Sequence, residues 1–148
     1  MPEPSLRGRA LNYLARRDYT RSELQRKLAP HAEDQSELES LLEDLEKRGS
    51  LSEQRFVEQM VHARQGKYGS LRIAQELRSK GIADELIRST VAQLKNGESA
   101  SARTVWTKKF GSLPIDAKQR AKQMRFLQSR GFSMEVIRRV VQGLDDED

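Results

Sequence analysis

A fifteen-residue segment of this 148-residue chain occurs twice, at residues 77–91 and again at residues 127–141. Seven positions are identical in the two copies, whereas two unrelated windows of this length share roughly one position by composition. The identical pairs are Leu77/Leu127, Ser79/Ser129, Gly81/Gly131, Glu85/Glu135, Ile87/Ile137, Arg88/Arg138 and Val91/Val141. A repeat of this period is typical of stacked supersecondary units. We therefore expect a series of small cores and not one thick core.

The hydrophobic pattern predicts an all-α fold made of three tandem three-helix repeats. Apolar residues recur at intervals of three and four almost throughout, and no segment sustains the alternation typical of a strand. The predicted repeats are residues 5–49, 50–96 and 97–144, followed by an acidic tail at residues 145–148. A short linker around Asn96 and Gly97 is expected between the second and third repeats.

Local signals place several helix ends. The spacing of Thr20 and Glu23 predicts a capping box, and Ser50 with Glu53 predicts a second one. Gly81 and Gly131 are expected to be structural caps, because a helix commonly ends on a residue with positive φ that glycine adopts without steric cost. A glycine-bearing corner between helices is also found in DNA-binding helix-turn-helix proteins, so that alternative stays open.

Composition argues against an enzyme. The chain has no cysteine and only two isolated histidines, and it lacks a Walker-type phosphate loop. No nucleophile, base and orienting group come together in the sequence, so we expect no catalytic residue, no metal and no cofactor. No apolar stretch is long enough to span a bilayer, and the first residues do not resemble a signal peptide. We expect a soluble, cytoplasmic protein with no membrane partner.

Positive charge is concentrated late in the chain. The net charge is +5 overall, but residues 31–60 carry −6 and residues 101–144 carry +8. A basic excess of this kind attracts phosphate or an acidic protein surface. The predicted partner-binding or nucleic-acid-binding residues are Arg64, Lys67, Tyr68, Arg72, Lys80, Lys108, Lys109, Lys118, Lys122, Arg125 and Arg130. Tyr19 and Tyr68 occupy equivalent points of their repeats, where such a ring either packs a corner or stacks on a base.

Five motifs follow one another along the sequence and together extend over nearly the whole chain: residues 16–28, 49–56, 69–82, 106–110 and 125–132. In this order they resemble the motifs of the RecX family, bacterial regulators of the RecA recombinase. The chain departs from the family pattern at Ser52-Glu53 and at Gly66-Lys67.

The resemblance implies an elongated, curved monomer that lies along the groove of the RecA filament on single-stranded DNA, with duplex DNA as a weaker partner. It implies either inhibition of strand exchange, ATP hydrolysis and co-protease activity or destabilisation of the filament. The residues by themselves leave two alternatives open. One is a helix-turn-helix DNA-binding regulator, and the other is a helical-repeat adaptor for an unrelated acidic protein.

Overall fold

The regular secondary structure is entirely helical over residues 2–144, the part that a computed structural model describes. The acidic tail predicted at residues 145–148 lies outside the described residues. The helices are α1 (Leu6–Leu14), α2 (Arg21–Leu28), α3 (Gln35–Lys47), α4 (Glu53–Arg64), α5 (Ser70–Ser79), α6 (Asp84–Leu94), α7 (Glu98–Lys109), α8 (Ala117–Ser129) and α9 (Met134–Val141). None of the helices in this range is both long and apolar enough to cross a membrane.

These helices form two compact units. The first unit contains the chain up to Gln59 together with Ser79–Ile82, and the second contains Met60–Arg78 and the chain from Ala83 onward. The segment Ser79–Ile82, which joins the first unit, contains the last residue of α5 and the corner that follows it. That corner includes Gly81, so the repeated segment found in the sequence has a packing role in the first unit.

The core of the first unit is built mainly from leucines of α2 and α3. Its fully buried members include Ala10, Leu24, Leu28, Leu42 and Leu45. The capping box predicted at the start of α2 is present: the Thr20 hydroxyl accepts the Glu23 N–H at 3.0 Å, and the Glu23 carboxylate accepts the Thr20 N–H at 3.0 Å. Two amides that have no partner inside the helix are thereby satisfied, so α2 begins where the sequence predicts.

A second core lies in the third repeat. Its buried residues are Ala102, Val105, Trp106, Leu127, Phe132, Ile137, Val140 and Val141. The indole Nε1 of Trp106 donates to the side-chain oxygen of Gln123 at 2.8 Å, so the polar edge of this buried ring has a partner. Trp106 is only 8% exposed and therefore lies in the core, where a buried indole N–H usually has a hydrogen-bond partner of this kind.

The start of α4 differs from the sequence prediction. The capping box predicted at Ser50 and Glu53 is wrong, because the Ser52 hydroxyl accepts the Arg55 N–H at 3.1 Å and α4 begins at Glu53. The physical reason is Leu51, which is only 2% exposed and packs into the first core. Burial of that side chain brings Ser52, and not Ser50, to the position before the helix.

Candidate nucleic-acid interface

Two of the predicted basic residues are neutralised by carboxylates within their own unit. In the second unit, the Arg64 guanidinium donates to both oxygens of Glu76, at 3.1 and 2.9 Å. These hydrogen bonds raise the pKa of Arg64, because they favour its charged form. In the first unit, Lys80 Nζ donates to Glu23 Oε2 at 3.2 Å. Arg64 and Lys80 therefore stabilise the fold through ion pairs that a ligand would have to compete with.

Ion pairing is widespread in the first unit. Five further arginine–carboxylate pairs in this unit have N–O distances of 2.6 to 3.3 Å: Arg7–Asp44, Arg17–Glu23, Arg21–Glu46, Arg48–Asp44 and Arg55–Asp18. Hydrogen bonds from the Arg7 guanidinium lower the pKa of Asp44, so this carboxylate is charged at neutral pH. The surface of the first unit thus carries much of its positive charge in neutralised form.

Two repeat corners pack against the start of an earlier helix, each within one unit. The first junction consists of Ser22, Glu23, Lys80 and Gly81. Gly81 has a φ of 78°, and a Cβ built on it would lie 2.7 Å from the Ser22 hydroxyl oxygen. The Glu23 carboxylate and the Lys80 ammonium form an ion pair here. At the first junction one carboxylate thus faces one ammonium, and Arg17 shares that carboxylate.

The second junction consists of Gly69, Leu71, Arg72, Arg130 and Gly131. The Gly69 N–H donates to the Arg130 carbonyl at 2.8 Å, and the Leu71 N–H donates to the Gly131 carbonyl at 3.0 Å. The first amides of a helix have no hydrogen-bond partner in the helix itself, so the carbonyls that follow α8 supply partners for amides at the start of α5. A Cβ on Gly69 would collide with the Gly131 carbonyl, which shows how closely the two backbones approach.

The two junctions occupy equivalent positions of their repeats but differ in the charges that they bring together. Glu23 and Arg72 each follow the tyrosine of their repeat by four residues, and Lys80 and Arg130 each precede a corner glycine. A carboxylate and an ammonium therefore meet at the first junction, whereas two guanidiniums meet at the second. No ion pair within residues 2–144 joins either Arg72 or Arg130 to a carboxylate. The second junction thus has an excess of positive charge.

Alternating cations and aromatic rings extend from the second junction, and we call them the cation–ring ladder. Its members in order are Arg72, Tyr68, Arg130, Phe126 and Lys109. The guanidinium carbons of Arg72 and Arg130 lie 4.1 and 5.4 Å from the centroid of the Tyr68 ring. The Phe126 ring centroid lies 5.2 Å from Arg130 and 5.4 Å from Lys109 Nζ. These separations allow cation–π attraction, which holds the cations beside half-buried rings.

Next to the ladder is a cavity of about 220 Å³, which we call the basic hollow. Its lining residues are Gly66, Lys67, Val105, Lys108, Lys109, Phe126 and Arg130. The lining contains four cations and no carboxylate, and its apolar part is the Phe126 ring with Val105. The structure thus brings together six of the predicted site residues: Lys67, Tyr68, Arg72, Lys108, Lys109 and Arg130.

Three further predicted residues form an exposed row on α8. Lys118, Lys122 and Arg125 are all exposed. They belong to the same helix as Phe126, but they line neither the basic hollow nor the ladder. Their spacing of four and three places them along one side of the helix, as a row that can follow a phosphate backbone.

The two equivalent tyrosines have different environments. Tyr19 is only 7% exposed and makes an edge-on contact with Tyr13, with ring centroids 5.8 Å apart. Tyr68 is half-buried and lies between two guanidiniums. A guanidinium also lies over Tyr19, with the Arg17 Cζ 3.6 Å from its ring centroid. Burial therefore distinguishes the two rings: Tyr19 packs in the first core, whereas Tyr68 stays half-buried.

Comparison with known proteins gives the family. Models of the first, second and third three-helix domains of RecX match residues 7–45, 52–91 and 97–141 respectively. The chain belongs to the RecX family. The chain is 49% identical over 146 residues to the regulatory protein RecX of Leptothrix cholodnii, covering 99% of this chain and 93% of that protein. It is 38% identical to the regulatory protein RecX of Neisseria meningitidis serogroup A, covering 99% of this chain and 95% of that protein.

Solved RecX structures have the same fold. The crystal structure of RecX from Lactobacillus salivarius has a TM-score of 0.83 at 20% identity, and the comparison covers 95% of this chain and 94% of that one. A second crystal structure of regulatory protein RecX has a TM-score of 0.79 at 22% identity and covers 93% and 70% of the two chains. The predicted all-α fold of three tandem three-helix domains is confirmed, as is the resemblance to RecX. The curated relatives are regulatory proteins, so a regulatory role is the one that this RecX family member shares with them.

The predicted site residues leave out one aromatic member of the candidate interface, Phe126. It lies beside the core position Leu127, and its ring contributes to the basic hollow as well as to the ladder. The available signal was its offset from the apolar stripe of α8 and its place between Arg125 and Arg130. An aromatic residue next to cations and off the core stripe of a helix is a candidate for ligand contact in this RecX chain.

Proposed function

We propose that this RecX family member binds the RecA filament on single-stranded DNA and inhibits its recombinase, ATPase and co-protease activities. The observation that carries the proposal is the cluster of unneutralised cations in the second unit, formed by the ladder, the basic hollow and the α8 row. Such a surface attracts a polyanion, and a nucleoprotein filament presents phosphates at regular intervals. The RecX resemblance points to RecA as the protein in that filament.

The first test measures the ATPase of RecA. Adding the purified chain to RecA on single-stranded DNA is expected to suppress DNA-dependent ATP hydrolysis at substoichiometric amounts, because one bound regulator affects neighbouring protomers of a filament. The rate is followed by release of phosphate, with an equal amount of an unrelated basic helical protein as the control. An ATPase rate that does not change at any ratio of the two proteins contradicts the proposal.

A second prediction concerns the α8 row. Replacing Lys122 and Arg125 with alanine is expected to reduce the slope of log affinity against log salt by roughly 1.4, since each lost phosphate contact on a single strand contributes about 0.7. Fluorescence anisotropy of a labelled oligo(dT) over a range of salt concentrations measures this slope.

The matched control for the α8 row removes the same charge from the first unit. Arg16→Ala combined with Arg26→Ala changes two exposed arginines that belong to no predicted site. This control is expected to keep the wild-type slope. If Lys122→Ala with Arg125→Ala also keeps it, the α8 row makes no phosphate contact.

The helix-turn-helix alternative predicts preference for one duplex sequence. Two observations make the helix-turn-helix regulator the weaker candidate. The Gly131 carbonyl accepts a hydrogen bond from an amide of α5, and the neighbouring Arg130 lies beside the Tyr68 and Phe126 rings. This corner therefore has a packing role within the second unit. Equal affinity for a duplex and its scrambled version is the expected result for a filament regulator, whereas a sequence-reading protein discriminates between them. An adaptor for an unrelated acidic protein would bind its partner equally well without DNA.

A further inference from the structure

The second junction carries two cations at the positions where the first junction has one carboxylate and one ammonium. The Glu23–Lys80 ion pair of the first junction is replaced by Arg72 and Arg130. Two guanidiniums near one ring repel each other, and an ion pair at this place would be more stable for the fold alone. Like charges held together by the fold are typical of a site whose ligand neutralises them.

Contacts within the protein hold the two guanidiniums of the second junction in place before any ligand binds. Arg72 Nη1 donates to the Ser129 carbonyl at 3.3 Å while its guanidinium carbon lies 4.1 Å from the Tyr68 ring centroid. Arg130 lies near both the Tyr68 and the Phe126 rings. Because the contacts limit the freedom of these long side chains, less conformational entropy is lost when an anion binds.

The ligand must bring negative charge and a flat apolar surface. The basic hollow next to Arg130 presents three lysines at its edge, and the Phe126 ring and Val105 form its apolar wall. A nucleotide of single-stranded nucleic acid has both features, since its phosphate meets cations and its base packs on an aromatic ring. A carboxylate of an acidic protein would use the cations but has no flat apolar surface to cover the part of the Phe126 ring that lines the hollow.

We propose that the second junction and the basic hollow form a binding site for one nucleotide unit of single-stranded DNA. Arg72, Arg130 and the lysines of the hollow bind the phosphate, and Phe126 packs against the base. The inference rests on the proposed function, because it takes single-stranded DNA as the partner. It goes further by assigning DNA contact to this junction and a purely structural role to the first junction.

The test makes the second junction resemble the first. Arg72→Glu places a carboxylate where Glu23 stands in the first junction, so the introduced group can pair with Arg130. We expect a thermal midpoint equal to or above that of the wild type. The slope of log affinity for labelled oligo(dT) against log salt is expected to fall by roughly 1.4, because one phosphate contact is lost and a second is neutralised. Arg88→Glu, which makes the same change of charge at an exposed position of α6, is the matched control and is expected to keep the slope.

Two other variants separate the phosphate from the base. Phe126→Leu keeps an apolar side chain and the net charge, so we expect a loss of affinity of roughly fivefold or more at an unchanged salt slope. Arg72→Gln removes one charge without adding another and is expected to reduce the slope by roughly 0.7. This second arginine variant keeps the test decisive if Arg72→Glu does not fold.

Several results would overturn the nucleotide site. They are a wild-type slope in both Arg72 variants, an equal effect of Arg88→Glu, and wild-type affinity in Phe126→Leu. A further one is an Arg72→Glu protein that suppresses the RecA ATPase poorly but binds oligo(dT) normally, since the junction would then meet an acidic protein surface. The anisotropy experiment contains no RecA, so its failure leaves the filament proposal to be judged by the ATPase of the wild-type chain.

Discussion

Replacing Gly131 with alanine is expected to lower the free energy of unfolding by roughly 2 to 5 kcal/mol. Gly131 has a φ of 88°, where an L-residue is strained by about 1 to 2 kcal/mol. In addition, a Cβ at this position would lie 2.6 Å from the Arg72 backbone nitrogen, so α5 or the end of α8 must move. That movement would break the hydrogen bonds that join the two helices at the second junction.

The same substitution at Gly81 is the matched control. Gly81 has a φ of 78°, close to that of Gly131, but the atom nearest its added Cβ is the Ser22 hydroxyl oxygen. A hydroxyl can rotate away whereas a backbone cannot, so Gly81→Ala is expected to cost only about 1 to 2 kcal/mol. Urea unfolding followed by far-UV circular dichroism compares the variants, and the fluorescence of Trp106, the single tryptophan, reports on the second unit. Equal losses in the two variants would mean that the backbone contact at Gly131 has no energetic effect.

Much of the fold could be predicted because its signals are local. The four residues from Thr20 to Glu23 are enough to specify a cap, and the recurrence of Leu77–Gly81 as Leu127–Gly131 is visible without any structure. The prediction failed at Ser50, where the deciding factor was the burial of the neighbouring Leu51 in a core made by other helices. Tertiary packing thus decided between two serines that are equally good caps by themselves.

The candidate site was less predictable, because the charge of a residue does not reveal its partners. Arg64 and Lys80 are bound to carboxylates 12 and 57 residues away in the sequence. Arg72 and Arg130, which look no different in the sequence, have no carboxylate partner among the described residues. Only the three-dimensional arrangement separates cations that stabilise the fold from cations that a ligand can neutralise. The RecX resemblance named RecA, and no pattern of charges could have done so.

Replacing Glu98 with alanine is expected to lower the free energy of unfolding by roughly 2 to 3 kcal/mol. Glu98 begins α7 and is only 4% exposed, and its two carboxylate oxygens both lie 3.0 Å from the Ser70 hydroxyl oxygen, so they share its single donated proton. One of these oxygens also lies 3.3 Å from the Ser70 amide nitrogen, whose N–H it accepts. Removing the carboxylate leaves a buried hydroxyl and a buried amide without a partner, and unsatisfied groups of this kind cost more than an ordinary hydrogen bond contributes. The start of α5 would lose its anionic cap as well.

A double-mutant cycle isolates the Glu98 interaction. Ser70→Ala removes the hydroxyl but keeps the amide, so its expected cost is about 1 kcal/mol, and the coupling between the two substitutions measures their shared hydrogen bonds. Glu43→Ala removes an exposed carboxylate from α3 and is expected to change stability by less than about 0.5 kcal/mol.

The position of Ser70 gives this stability effect a consequence for binding. Ser70 follows Gly69 and precedes Leu71, both of which belong to the second junction. A loosened start of α5 would therefore displace Arg72, so Glu98→Ala should weaken oligo(dT) binding even though it removes a negative charge. If Glu98→Ala instead strengthens binding as a simple gain of positive charge predicts, the Glu98–Ser70 contact does not position the junction.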